Sequence, residues 1–139
     1  MSRFGIYFHW PFCRSKCPYC DFVSIIGKNI DFQAWRDAYL SVLESYALRT
    51  ADKKVSSVFF GGGTPSLMPA EIVSEIISAV RRLWDTDENA EISLEANPGT
   101  LNHQKMSDFR KAGVNRLSLG IQSLNDNDLK FLGRLHNAE

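Results

Sequence analysis

Short apolar runs alternate with amphipathic stretches along the chain, and this pattern predicts four strand–helix units. Strands are predicted at 4–8, 55–60, 91–95 and 116–120, where the last two alternate apolar and polar residues. Apolar residues spaced three or four apart predict helices over about 32–46, 69–83 and 126–132, and a further helix through Met106 and Phe109 that ends at Gly113. Because each strand is followed by a helix, the strands are expected to run parallel, with the helices as crossovers.

Residues with strong terminal preferences define the ends of these helices. Asp31 is a plausible N-cap, and Pro69 suits a first helical position with Glu71 in the first turn. Gly113 suits the position after a helix end, and Gly133 is expected to stop the last helix. The predicted fold class is therefore α/β.

The residues best suited to chemistry fall at or just after the carboxyl ends of the four predicted strands. These are a cysteine loop, a glycine loop at 61–65, Glu95 and Gln122. Parallel α/β folds bind their ligands at that edge of the sheet. The sequence thus predicts one site rather than four separate features.

Composition narrows the class of protein. The 139 residues are 44% hydrophobic and 23% charged, as expected of one folded domain. Sixteen basic residues balance sixteen acidic ones, so we expect no nucleic-acid partner. We also expect no membrane span, because no apolar run approaches the ~18 residues required. The start of the chain lacks the features of a signal peptide, and with clustered thiols this favours a reducing cytoplasm.

All three cysteines lie within eight residues, as Cys13, Cys17 and Cys20. Three thiols cannot all pair as disulfides, and they are one ligand short of a closed zinc or iron–sulfur site. A zinc site with His9 as fourth ligand is one alternative, and buried thiols without a metal are another. Structural zinc sites usually have two separated pairs of ligands, so the spacing favours a cluster that leaves one iron open.

The segment around these cysteines resembles the cluster loop of the radical S-adenosylmethionine (SAM) family. It runs YFHWPFCRSKCPYCDF over residues 7–22. Four more segments match one group of that family in order and spacing: 59–66 (FFGGGTPS), 94–98 (LEANP), 119–123 (LGIQS) and 132–136 (LGRLH). The group holds oxygen-independent coproporphyrinogen III oxidase and the heme chaperone HemW. The resemblance implies a partial TIM-type barrel with four strand–helix units and outer helices.

The resemblance also implies roles for individual residues. Cys13, Cys17 and Cys20 would hold a [4Fe–4S] cluster, whose open iron binds SAM and whose electron cleaves it to a radical. The resemblance implies further SAM contacts for six residues of this chain, which are Tyr7, Tyr19, Gly62, Gly63, Thr64 and Glu95. A core aromatic for Tyr7, a tight turn for the glycines and a surface carboxylate for Glu95 remain the structural alternatives.

Two more positions match contacts to a second SAM molecule in the oxidase. These are Gln122 and Arg134, although Arg134 could equally cap a helix end. The run Cys20-Asp21-Phe22 and the short segment before Cys13 favour the chaperone over the oxidase. The implied function is heme binding and transfer to acceptor proteins. The alternatives are an oxidase acting on a porphyrinogen and a non-catalytic interaction module stabilised by a metal.

The length of the chain sets a further expectation. The family barrel has about six strand–helix units and a C-terminal domain, whereas four units are predicted here. We therefore expect residues 1–139 to be the N-terminal part of the core domain, with the cluster loop within 9–29. The other half of the barrel and the C-terminal domain would be absent, which makes full catalysis doubtful for these residues alone.

Overall fold

The computed structural model describes residues 2–138 and contains a parallel sheet of four strands with helices packed on it. In chain order the strands are β1 (Arg3–Trp10), β2 (Phe12–Cys13), β3 (Ile25–Ile26), β4 (Lys54–Gly62), β5 (Asp85–Ala96) and β6 (Arg116–Leu119). The main sheet has the order β1-β4-β5-β6, and every neighbouring pair is parallel. The prediction of four strand–helix units in an α/β fold is confirmed.

Four helices connect and cover these strands. They are α1 (Phe32–Thr50), α2 (Ala70–Leu83), α3 (His103–Ala112) and α4 (Asp126–Phe131). Helix α1 packs beside α2, and α2 packs beside α3. Two short 3₁₀ turns, Pro65–Leu67 and Pro98–Thr100, follow β4 and β5.

The predicted helix ends are largely confirmed. The Asp31 carboxylate accepts a hydrogen bond from the Ala34 N–H at 3.0 Å, as an N-cap does. Gly113 ends α3 in a left-handed conformation, with φ of 110°. Pro69 is the N-cap of α2 rather than its first residue, because its ψ of 138° is extended. Helix α4 ends at Phe131, slightly before Gly133.

Strand β5 is longer than predicted. The sequence pattern indicated 91–95, whereas the strand begins at Asp85. Its first residues are polar, and Lys54 at the start of β4 holds them through ion pairs to Asp85 (3.4 Å) and Asp87 (3.1 Å). The pairing with β4 is irregular between Val55 and Ser57, so this part does not share the apolar alternation that marks the rest.

The hydrophobic core lies between the sheet and the helices. Phe8, Phe60 and Leu94 from successive strands are buried there, together with Ile76 of α2 and Phe109 of α3. Burying such large side chains contributes ~1.5–3 kcal/mol each, so this layer stabilises the sheet. No helix among residues 2–138 is both long enough and apolar enough to cross a bilayer.

The opposite face of the sheet is more open. Strand β1 was predicted to be buried, but it lies at one edge and alternates between exposed and buried residues. Tyr7 on this open face is 55% exposed, so it is not a core aromatic. This face of the sheet is therefore accessible from the solvent at Tyr7.

Candidate functional site

A cavity of about 390 Å³ lies at the carboxyl ends of the parallel strands. All three cysteines line it, and all three are free thiols with partial exposure. Six other residues singled out from the sequence also line this cavity: Tyr19, Gly63, Thr64, Glu95, Gln122 and Arg134. The residues predicted to share one site therefore line the same cavity at the strand ends.

The cysteine loop is held in shape by its own backbone. Strand β2, which contains Cys13, pairs with β3 further along the loop. The Gly27 N–H donates to the Cys13 carbonyl at 3.0 Å, and the Cys20 N–H donates to the Cys17 carbonyl at 3.0 Å. The backbone of all three cysteines therefore takes part in hydrogen bonds within the loop.

Lys16 adds a side-chain link across the same loop. Its ammonium donates to the Phe22 carbonyl at 2.8 Å and to the Ser24 hydroxyl at 3.0 Å. Sequence reasoning missed this residue, because a single lysine in a polar loop carries no pattern. The contact joins the segment between the first two cysteines to the segment after the third.

Two of the three sulfur atoms accept hydrogen bonds from residues outside the cysteine loop. The Thr64 hydroxyl donates to Cys13 Sγ at 3.4 Å, and Arg134 Nη1 donates to Cys17 Sγ at 3.3 Å. Sulfur is a large, weak acceptor, so distances in this range are expected. These contacts connect the cysteine loop to β4 and to the segment after α4.

The cysteine side chains are not gathered around one point among the described residues. Within the described part of the chain, no three His, Cys, Asp or Glu side chains converge closely enough to share one ion. His9 is also engaged elsewhere, because its Nδ1 accepts from the Tyr7 hydroxyl at 3.0 Å and its Nε2 donates to the Val23 carbonyl at 2.8 Å. A cubane binds each thiolate at a different iron, so three sulfurs around one cavity suit a cluster.

The glycine loop is needed for the close approach of two backbone segments. A Cβ atom added at Gly63 would lie 2.7 Å from the Phe12 carbonyl oxygen. Gly62 has a left-handed φ of 113°, and a Cβ there would lie 2.8 Å from the His9 ring. The cysteine loop therefore packs directly against these glycines.

The backbone N–H groups of Gly63 and Thr64 in the glycine loop donate hydrogen bonds to carbonyl groups of the protein. Gly63 donates to the Trp10 carbonyl at 2.6 Å, and Thr64 donates to the Phe12 carbonyl at 2.8 Å. Glycines after a strand are expected to leave backbone N–H groups unblocked for a ligand, but here these donors bind carbonyl groups of the protein. Close packing of the loops, which glycine alone permits, leaves these donors satisfied.

Glu95 lies at the end of β5 and lines the cavity. Its Oε2 accepts a hydrogen bond from the Gly62 N–H at 3.1 Å, which orients the carboxylate. Gly62 itself does not line the cavity and acts through this bond. Tyr7 lies in the middle of β1 and does not line the cavity. The pKa of its hydroxyl is raised mainly by partial burial and to a smaller extent by the negative charge of Glu95.

Gln122 and Arg134 reach the cavity from the last part of the chain. Gln122 has a left-handed φ of 71°, which is uncommon for a residue other than glycine. The Arg134 guanidinium lies 3.4 Å from the Tyr19 hydroxyl. Burial raises the pKa of Tyr19, while the nearby Arg134 charge opposes that rise. Arg134 contacts the site rather than capping a helix end.

Comparison with known proteins identifies the class to which this fold and site belong. The family model described as "Radical SAM superfamily" matches residues 7–139. The chain therefore belongs to the radical SAM superfamily.

Individual relatives narrow the similarity. The chain is 43% identical over 139 residues to the heme chaperone HemW of Haemophilus influenzae, covering 96% of this chain and 36% of that protein. It is 40% identical over 137 residues to the mitochondrial radical S-adenosyl methionine domain-containing protein 1 of Bos taurus, covering 99% of this chain and 31% of that protein. The chain spans about a third of the length of these curated relatives.

A solved structure has the same fold. The coproporphyrinogen III oxidase (HemN) of Escherichia coli, described as a radical SAM enzyme, superposes with a TM-score of 0.78 at 28% identity. The match covers 98% of this chain and 31% of the oxidase chain. The four parallel strands and flanking helices are thus the radical SAM fold seen in that enzyme.

Proposed function

We propose that the chain is the cluster- and SAM-binding part of a HemW-type heme chaperone. One observation carries the proposal, namely that the three thiols of the cysteine loop surround a single open cavity at the strand ends. The identity of 43% with a HemW protein over 96% of the chain supports the same assignment.

The residues around the cavity fit an iron–sulfur cluster and SAM. Cys13, Cys17 and Cys20 would hold a [4Fe–4S] cluster, since three thiolates leave one iron without a protein ligand. When bound, the cluster and SAM together supply one-electron chemistry, and the protein orients them. The oriented Glu95 carboxylate suits the hydroxyl groups of a ribose as hydrogen-bond donors.

The remaining site residues have supporting roles in this proposal. Tyr19 lies beside Cys17 and would pack against SAM. Tyr7 and Gly62 would support the site indirectly, because the Tyr7 hydroxyl donates to His9 and the Gly62 N–H donates to the Glu95 carboxylate. Gly63 and Thr64 would position the cysteine loop through their backbone hydrogen bonds to the residues just before Cys13. Gln122 would contact SAM from the β6 side of the cavity.

The chaperone is preferred to the oxidase for a reason within the cysteine loop. Here Cys20 is followed by Asp21-Phe22, whereas the oxidase group has a further cysteine two residues after its third ligand. The oxidase-type function, which would act on a porphyrinogen, remains the second candidate because the HemN fold matches over 98% of the chain. Heme and heme-acceptor proteins are thus the proposed partners.

We propose a reducing compartment for the protein, the cytoplasm in a bacterium. The three free thiols support this, because an oxidising compartment would pair or modify them. The mitochondrial relative from Bos taurus indicates that an organelle interior suits this type of chain equally well.

Anaerobic reconstitution with iron and sulfide tests the cluster assignment. We expect iron and sulfide uptake in the ratio of a [4Fe–4S] cluster, and a change in the EPR spectrum of the reduced cluster when SAM is added. Cys17→Ser should abolish stable uptake, whereas Ser15→Ala in the same loop should not. Equal uptake by Cys17→Ser and the wild type, or binding of zinc in place of iron, would contradict the assignment.

Two assays on the loaded protein separate chaperone from oxidase. The chaperone proposal expects a heme absorption band on titration and transfer of that heme to an apo-heme protein. The oxidase alternative expects carbon dioxide release from coproporphyrinogen III in the presence of SAM and a reductant. Carbon dioxide release without heme binding would overturn the chaperone proposal.

A further inference from the structure

Arg134 forms a bridge between three parts of the site. Its Nη2 donates to the Gly120 carbonyl at 2.7 Å, just beyond the end of β6. Its Nη1 lies 3.3 Å from Cys17 Sγ and 3.4 Å from the Tyr19 hydroxyl. A permanent positive charge is therefore fixed beside one sulfur of the cysteine loop.

The backbone holds this side chain in place. Gly133 adopts a left-handed φ of 67°, and the Arg134 N–H then donates to the Leu129 carbonyl at 2.9 Å. This turn reverses the chain after α4 and directs the guanidinium toward the cavity. Arg134 Nε is buried and has no hydrogen-bond partner among residues 2–138, so the contacts of this side chain are concentrated in its two terminal nitrogens.

The three sulfurs have different surroundings. Cys17 has a charged donor in Arg134, whereas Cys13 has a neutral donor in the Thr64 hydroxyl. Cys20 Sγ has no side-chain donor in the part of the chain that the structure describes. A guanidinium adds the Coulomb attraction of a full positive charge to its hydrogen bond, which a neutral hydroxyl donor does not.

Hydrogen bonds to the sulfurs and local charge set the potential of an iron–sulfur cluster. Adding one electron makes the cluster more negative, so a fixed cation beside a ligand sulfur stabilises the reduced form more than the oxidised form. We propose that Arg134 is a positioning residue that raises the reduction potential of the cluster through its hydrogen bond to Cys17. This inference rests on the proposed function, because it requires the cluster at the three cysteines.

The test is a potentiometric titration of the reconstituted chain, with dithionite as electron donor and the EPR signal of the reduced cluster as readout. SAM is left out, so that any direct contact of Arg134 with SAM does not contribute. Arg134→Gln removes the charge, and Arg134→Lys retains it without the planar fork that reaches both Gly120 and Cys17. Arg110→Gln is the matched control, because Arg110 is an exposed arginine on α3 away from the cavity.

We expect Arg134→Gln to lower the ratio of reduced to oxidised cluster at a fixed potential at least tenfold, which is about 59 mV for a one-electron couple. Arg134→Lys should fall between Arg134→Gln and the wild type, and Arg110→Gln should match the wild type. A merely structural role would change cluster content without moving the midpoint.

Other results would overturn the inference in distinguishable ways. An unchanged midpoint in Arg134→Gln would overturn it while leaving the proposed function intact. Loss of cluster uptake in both Arg134 variants, with normal uptake in Arg110→Gln, would show that Arg134 serves assembly rather than potential. Failure of the wild type to take up a cluster would overturn the proposed function as well.

Discussion

Replacing Gly63 by alanine tests the contact between the glycine loop and the cysteine loop. The new Cβ would lie 2.7 Å from the Phe12 carbonyl oxygen and 2.9 Å from the Pro11 carbonyl carbon. Both are backbone atoms, so no side-chain rotation can relieve the overlap. One of the two loops must shift.

The size of the effect follows from these distances. Overpacking in a tight site costs about 1–3 kcal/mol. A shift that relieves the overlap also lengthens the bonds from Gly63 N–H to Trp10 (2.6 Å) and from Thr64 N–H to Phe12 (2.8 Å). Each such bond contributes about 0.5–1.5 kcal/mol, so we expect Gly63→Ala to lower the free energy of unfolding by about 2–6 kcal/mol, with the upper end reached only if both bonds are lost.

Urea denaturation of the metal-free chain measures this change as a lower midpoint with the same slope. Gly99→Ala is the matched control, because the nearest atoms to a Cβ there are 3.8 Å and 4.0 Å away. The control should stay within about 0.5 kcal/mol of the wild type. Equal stability of the two variants would refute the view that glycine is required at position 63 by the packing of the loops.

Three further changes test the surrounding scaffold. Asn102→Ala removes the N-cap side chain of α3, which accepts a hydrogen bond from the Lys105 N–H at 2.8 Å. It should lower the free energy of unfolding, measured by urea denaturation, by about 1 kcal/mol, and an unchanged value would contradict the capping role. Phe109→Ala leaves a cavity at a fully buried position and should lower the free energy of unfolding by about 3–5 kcal/mol in the same measurement. A loss below about 1 kcal/mol would mean that the core around position 109 collapses onto the smaller side chain. Burial raises the pKa of Tyr39 well above its ordinary 10.0, so only the unfolded state ionises near that pH. The stabilisation by Tyr39 is therefore fully present below about pH 10 and is lost as the pH rises above it. Between about pH 9 and pH 11, the free energy of unfolding of Tyr39→Phe should fall less than that of the wild type. Parallel curves for the two proteins would exclude Tyr39 as a source of the alkaline loss.

The local sequence was sufficient for the elements whose burial is regular. The apolar stripe of α2 includes Ile72, Ile76 and Val80, all of which are buried, and Asp31 caps α1 as predicted. Regular burial leaves a period in the sequence that can be recognised without the partner surfaces. Element types and their order were therefore predictable.

Elements that depend on distant partners were not predictable in the same way. The first half of β5 is polar and is held by Lys54, thirty or so positions earlier in the chain. The short β2–β3 pairing within the cysteine loop gives no periodic signal, because each strand has two residues. Both depend on contacts that local propensity does not encode.

For the candidate site, too, the local sequence and the tertiary structure each account for a different part. The sequence by itself singled out the candidate site residues, since the cysteine spacing and the placement of Glu95 at a strand end are local patterns. Only the tertiary structure decided how those residues are supported. It brings Thr64 to Cys13, Arg134 to Cys17 and Gly62 to Glu95. These pairs are far apart in the chain, and it is the parallel order of the strands that collects their ends at one edge of the sheet.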